Sequence, residues 1–190
     1  MTKTSGRNHD PVILDAGRLG RIEFLWTGDR YRHQWVFVDP AAQGPLLLSI
    51  ESMADAIWPV SPPLQQVHVQ SFDDGREVIF GVGMSGRGHW SASFTMVPEL
   101  SCWIIEFACR SPLVPERLGS AYQLGPGWVE SAGQWQWLGQ SQVLTLEAIA
   151  PSIFRPADEH HLVLAPATVP TSAPATIQWA YRLKRSPVGA

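Results

Sequence analysis

The sequence predicts an all-β protein: a single-domain antiparallel β-sandwich or barrel of about ten strands, with one or two short helical turns. Three observations carry this expectation. At least five segments alternate apolar and polar residues with a period of two, the pattern of a strand with one buried face. Turns rich in Gly and Pro separate these segments. The stretch 76–110, REVIFGVGMSGRGHWSASFTMVPELSCWIIEFACR, reads as three apolar strands divided by a Gly-rich turn and a Pro-containing one.

Taken in order, residues 21–27 and 31–38 pair around Gly28-Asp29-Arg30, with Gly28 supplying the positive φ that a short loop needs. Ile22, Phe24 and Trp26 share one face of the first strand, and Tyr31, His33, Trp35 and Phe37 one face of the second. Asp39-Pro40 ends the pair, and residues 45–49 offer a third strand. Ile50, Met53, Ala54, Ile57 and Trp58 fall at helical spacing, which predicts a short helix stopped by Pro59. WPVSPP, with three prolines in six residues, reads as an extended loop.

Residues 66–72 and 76–82 flank Asp73-Asp74-Gly75, the clearest hairpin signal in the chain. Residues 88–97 place Trp90, Ala92, Phe94 and Met96 on one side, with His89, Ser91, Ser93 and Thr95 on the other. Residues 102–109 are almost continuously apolar around Glu106. A helical turn is expected within residues 111–119. Residues 120–124, 134–138, 142–149 and 162–165 then read as strands. After the Pro/Thr/Ala-rich loop APATVPTSAPA, residues 175–184 close the fold, with Ile177, Trp179, Tyr181 and Leu183 alternating with polar neighbours.

A chain of 190 residues accommodates one domain, here assigned to residues 12–185, between a disordered N-terminal tail at 1–11 and a loose C-terminal tail at 186–190. A net charge of −3 with scattered basic residues gives no electrostatic footprint for nucleic acid. The group Arg182, Lys184 and Arg185 reads as the solvated face and end of a strand. No apolar run is long enough for a membrane-spanning helix, and MTKTSGRNHDPVILDAG lacks the apolar core of a signal peptide, so a cytoplasmic protein is expected. In one extended strand, Cys102 and Cys109 lie roughly 23 Å apart and on opposite faces. They are therefore expected to be free thiols.

Nucleotide, metal and nucleophile signatures are absent: there is no GxSxG, P-loop, CxxC or GxGxxG following a strand. Gly81-Val82-Gly83 lies between strands and has no phosphate-binding context. His33, His68 and His89 lack the close H-x-H pairing of barrel metal sites, so neither a metal nor another cofactor is expected. Asp158-Glu159-His160-His161 reads as a solvated loop, because sequence neighbours point apart.

Nine tryptophans are the compositional outlier. Trp26, Trp35, Trp90, Trp103 and Trp179 sit on alternating faces and read as core. Trp128, Trp135 and Trp137, in GPGWVESAGQWQWLG, have Gly and Ser around them and are the candidate ligand-binding aromatics. Glu106, a carboxylate among hydrophobes, and His89 are the weaker catalytic candidates.

The leading expectation is a non-catalytic binding module for a small polar or saccharide-like ligand on an aromatic-lined sheet face. Two other readings stand beside it: a carbohydrate-active enzyme using Glu and His as general acid and base, and a structural subunit that self-associates as a homo-oligomer.

Overall fold

In the computed structural model, residues 9–39, 42, 44–158 and 160–188 are described; residues 1–8 of the expected N-terminal tail and 189–190 of the C-terminal one lie outside this set. The chain opens with β1 (Val12–Asp15), β2 (Arg21–Trp26), β3 (Tyr31–Val36) and β4 (Leu47–Ser49). It continues through β5 (Gln66–Ser71), β6 (Glu77–Ser85), β7 (Gly88–Val97) and β8 (Cys102–Ser111). Then come β9 (Ser120–Leu124), β10 (Trp128–Ser131), β11 (Gln134–Leu138) and β12 (Gln142–Ile149). The last three are β13 (Ser152–Pro156), β14 (His161–Pro166) and β15 (Ala175–Pro187).

These strands build two antiparallel sheets, one in the order β1-β2-β3-β4-β9-β14-β13 and one in the order β10-β11-β12-β15-β8-β7-β6-β5. Both sheets have free edges, so the architecture is an open sandwich and not a barrel. The count is fifteen strands, against the ten expected. β1, β10 and β13 account for most of the excess. Each is five residues or fewer, too short to show an alternation by itself.

The chain crosses repeatedly between the sheets. β1 to β4 belong to the first sheet, β5 to β8 form a meander in the second, and β9 returns to the first. β15, the longest strand at 13 residues, inserts between β12 and β8 and so joins the two halves of the larger sheet. The hairpins at 21–36 and 66–85 form where the turn residues place them: Gly28 and Gly75 take φ of 110° and 80°.

The helix expected at 50–58 does not form. Met53 and Ile57 are 78% and 56% exposed, and of the stripe only Trp58 joins the core. Tertiary partners take its backbone groups instead: the Ile50 amide donates to the Ala121 carbonyl at 2.9 Å, and Ser85 Oγ donates to the Ala56 carbonyl. The turn expected within 111–119 is likewise irregular chain. Two 3₁₀ turns occur elsewhere, at Gly17–Leu19 and Pro98–Leu100. No helix among the described residues is long and apolar enough to cross a membrane.

The pattern of inward residues is as the alternation predicts. Ile22, Phe24, Trp35, Phe94, Trp103 and Ile105 are fully buried between the sheets, and Trp179, Tyr181 and Leu183 nearly so. Trp35 meets Trp103 edge to face at 5.0 Å, as Phe24 meets Phe94 at 5.0 Å, the offset geometry that aromatic quadrupoles favour. Gly81-Val82-Gly83 has a packing role. The chain at Pro63 crosses so close over Gly83 that a Cβ there would strike the Pro63 carbonyl. Cys102 and Cys109 lie at the two ends of one continuous strand, both free and buried.

Trp137 is held by its surroundings. It is 1% exposed, its indole N–H donates to the Pro126 carbonyl at 3.0 Å, and a Cβ on Gly139 would lie 2.6 Å from its ring. Trp137→Ala is therefore expected to destabilise the fold by about 3–5 kcal/mol, as for other buried large-to-small replacements. Urea denaturation measures this, and a loss below 1 kcal/mol, about the scale of a surface change, would contradict the placement.

Candidate functional site

The three sequence-nominated tryptophans do not form an exposed platform. Trp128, Trp135 and Trp137 are 9%, 6% and 1% exposed and belong to the inter-sheet core. The Trp128 indole N–H donates to the Leu46 carbonyl at 2.9 Å. Sparse apolar neighbours in sequence suggested exposure, but the packing partners come from elsewhere: β10 and β11 lay their inward faces over the chain around Leu46 and Pro126. These indoles have no free face on which a ligand can stack.

Glu106 and His89 are brought to one surface, the outer face of the eight-stranded sheet. The same alternation that turns Trp103, Ile105, Phe107 and Cys109 inward turns Glu106 outward, so this carboxylate is solvated and not buried among hydrophobes. Ser93 Oγ donates to Glu106 at 3.1 Å.

Register arranges this face in three rungs across four strands. Phe80, Ser93, Glu106 and Ala180 form the first; Val82, Ser91, Ala108 and Gln178 the second; Met84, His89, Arg110 and Thr176 the third. With strands about 4.8 Å apart and two residues between rungs, the patch measures about 14 Å in each direction. Ser91, Ser93 and Ala108 occupy its middle, so the floor is low there. Three adjoining hollows of about 380, 530 and 650 Å³ follow one another along it, the first two sharing Ser91 and Ala108, the last two Met84, His89 and Arg110. The bend at Ile149–Ser152 walls one side of the first hollow and Phe80 the other. His68, opposite Phe80 on β5, extends the aromatic edge with ring centres 5.8 Å apart.

Glu106 and His89 share this face but do not converge. His89 lies four residues along β7 from Ser93, the partner of Glu106, which separates them by about 13 Å along the strands. Concerted acid–base catalysis at one bond needs both groups within hydrogen-bond reach of the reacting atoms. The remaining histidines are equally dispersed: His33 is in the core, and His161 Nδ1 meets Asp158 at 2.7 Å. Among the described residues no three His, Cys, Asp or Glu side chains are placed to hold a metal.

A second polar constellation lies inside the sandwich. His33 Nε2 and the Tyr122 hydroxyl are 2.8 Å apart, and the Tyr181 hydroxyl donates to that of Tyr122 at 2.7 Å. Tyr122 accepts from Tyr181, which leaves its own proton able to bond to His33 Nε2 when the imidazole is neutral. Burial enforces this, pushing the His33 pKa down to about 3 and both phenols up. The His33 amide donates to Ser49 Oγ at 2.9 Å, and Ser49 Oγ donates to Glu51 at 2.7 Å. Burial lifts the Glu51 carboxyl to about 7, against the opposing pull of the Ser49 hydroxyl and of the Arg30 and Arg32 guanidiniums.

Sequence reasoning located two members of the outer patch and missed the others. The signal was present in HWSASF, where outward Ser91 and Ser93 alternate with inward Trp90, Ala92 and Phe94. The centre of the inner network has no local signal, because His33, Tyr122 and Tyr181 are more than fifty positions apart. The chain matches no family model, and no curated protein is similar to it. The fold and its surface therefore define no more than a class: an open, aromatic-cored antiparallel β-sandwich bearing a shallow polar trough.

Glu51 and His33 act oppositely on stability. His33 has its pKa lowered in the fold, so its contribution is present above about pH 6.5 and is lost as pH falls toward about 3. Glu51 has its pKa raised, so its contribution is complete below about pH 4.5 and is lost as pH rises toward about 7. Glu51→Gln keeps the shape and removes the second titration. Relative to the unaltered protein, the variant is expected to gain stability between pH 4.5 and 7, read by urea denaturation at each pH. A difference that stays constant over that interval would contradict the burial of this carboxyl.

Proposed function

We propose that this chain is a non-catalytic binding module that holds a small polar, saccharide-like ligand in the trough on the outer face of the eight-stranded sheet. The observation that carries the reading is the three-rung patch itself: a low floor of Ser and Ala, an aromatic edge at Phe80 and His68, and polar groups from three strands. A sugar presents apolar C–H faces and equatorial hydroxyls, and such a surface offers a ring to one and hydrogen-bond partners to the other. Ser93, Glu106 and Gln178 supply hydroxyl, carboxylate and amide within two adjacent rungs. The separation of Glu106 from His89 favours holding a ligand over transforming it.

Screening on an array of neutral and acidic glycans, followed by calorimetry on the best binders, tests the reading. Ser91→Trp fills the centre of the trough from an exposed position. It is expected to abolish binding while moving Tm by no more than about 2 °C, since surface changes cost little. Binding that survives Ser91→Trp would place the ligand elsewhere on the molecule.

A further inference from the structure

We propose that a second hollow, on the outer face of the seven-stranded sheet, is a binding site for an apolar monocarboxylate. It encloses about 450 Å³, within the range of small-molecule sites. Register fixes its floor. Arg155 on β13 stands opposite Val163 on β14, and Val163 stands opposite Ala121 on β9. On the far side of that row the Ile50 amide bonds to the Ala121 carbonyl, which brings the Ile50 side chain to the rim. Gly119 and Ala165 flank the row and keep it low: a Cβ at Gly119 would lie 2.9 Å from Val163 Cγ1. Pro59 and Val60 complete an apolar lining.

The ionisable residues lining this hollow are all basic: Arg117, Arg155 and His161. His161 is already paired with Asp158 at 2.7 Å. Arg117 spends its Nε on the Trp58 carbonyl at 3.1 Å, leaving its outer nitrogens to other partners. Neither Arg117 nor Arg155 has a carboxylate partner among the described residues. The two arginines thus bring guanidiniums without a carboxylate partner to one aliphatic floor.

The two halves of the site ask for different parts of one molecule. A carboxylate matches the planar fork of an arginine and gains charge-assisted bonds. An alkyl or aryl body covers Val163 and Ile50 and removes their surface from water. A bare inorganic anion would leave the floor wet, and an alcohol would leave the guanidiniums unmatched. The site is independent of the polar trough, which lies on the other sheet.

Titration of the ¹⁵N-labelled chain with octanoate, octanol and octylamine tests this. Octanoate is expected to shift the amides of Ala121, Val163 and Ala165 saturably, and to leave those of Ser91, Ser93 and Ala108 unmoved. Octanol is expected to bind about tenfold more weakly, the scale of one charge-assisted hydrogen bond. Arg117→Gln with Arg155→Gln, both at exposed positions, should bring octanoate down to the level of octanol while octanol itself is unaffected. Equal binding of octanoate and octanol, shifts confined to other surfaces, or no saturation at millimolar octanoate would each overturn the proposal. A failed glycan screen leaves this titration unchanged, so the two readings fail separately.

Discussion

Hydrogen bonds that pass through the aromatic layer tie the two sheets together. Trp103 of β8 donates to the Leu19 carbonyl, Trp128 of β10 to the Leu46 carbonyl, and Trp179 of β15 to Ser120 Oγ. The Tyr181 hydroxyl of β15 reaches Tyr122 of β9. Each bond starts on the eight-stranded sheet and ends on the chain of the seven-stranded one. Apolar burial alone is non-directional and would tolerate one sheet sliding over the other. A buried N–H that loses its acceptor costs about 1–3 kcal/mol, so a slip that broke these bonds together would be strongly opposed. Trp is suited to this task because one side chain supplies both the buried area and the donor.

With the inward set fixed, the outward set follows. Successive strand residues point to opposite faces, so placing Trp103, Ile105 and Phe107 in the layer puts Glu106 and Ala108 outside. The same step places Ser91 and Ser93 outside on β7 and Gln178 and Ala180 outside on β15. The trough is thus the reverse side of the core: β7, β8 and β15 carry their large aromatic residues inward, and outward they carry the small Ser91, Ser93, Ala108 and Ala180 among polar neighbours. Glu106 illustrates how a composition-based reading goes astray. Its sequence neighbours are apolar, yet the residues beside it in space are Ser93 and Ala180.

This also explains what could be read from the chain. β7, β9, β11 and β12 begin and end where the sequence places them, because each is bounded on both sides by Gly- or Pro-bearing breaks. β1, β10 and β13 were not legible, since their existence depends on a neighbour already in position: β13 pairs with β14 alone and β10 with β11 alone. The segment 50–58 has a genuine helical spacing, but tertiary bonds to Ala121 and Ser85 outbid a helix with little to pack against. Trp135 and Trp137 were misread for a related reason. Glycine beside an indole suggests emptiness in sequence, whereas in space Gly139 leaves room for the Trp137 ring to lie against the backbone.

The two outer faces now differ in a way the core does not require. Both hollows arise from small residues in the middle of a sheet: Ser91, Ser93 and Ala108 on one side, Gly119, Ala121 and Ala165 on the other. Around the first, hydroxyl, amide and carboxylate groups stand beside His89, Arg110 and the apolar side chains of β6; around the second the lining is aliphatic, with two guanidiniums and the His161 imidazole. Packing explains the tight spot at Gly119, where a Cβ would strike the Leu164 carbonyl, but it does not explain why Arg117 and Arg155 both flank an apolar floor. Long, charged side chains at a strand edge guard against unwanted pairing, and Arg155 on edge strand β13 serves that purpose. Arg117 lies in no strand and guards no edge. Edge protection therefore accounts for Arg155, whereas Arg117 ties its loop to the Trp58 carbonyl through Nε and keeps its outer nitrogens for other partners at the rim of the hollow.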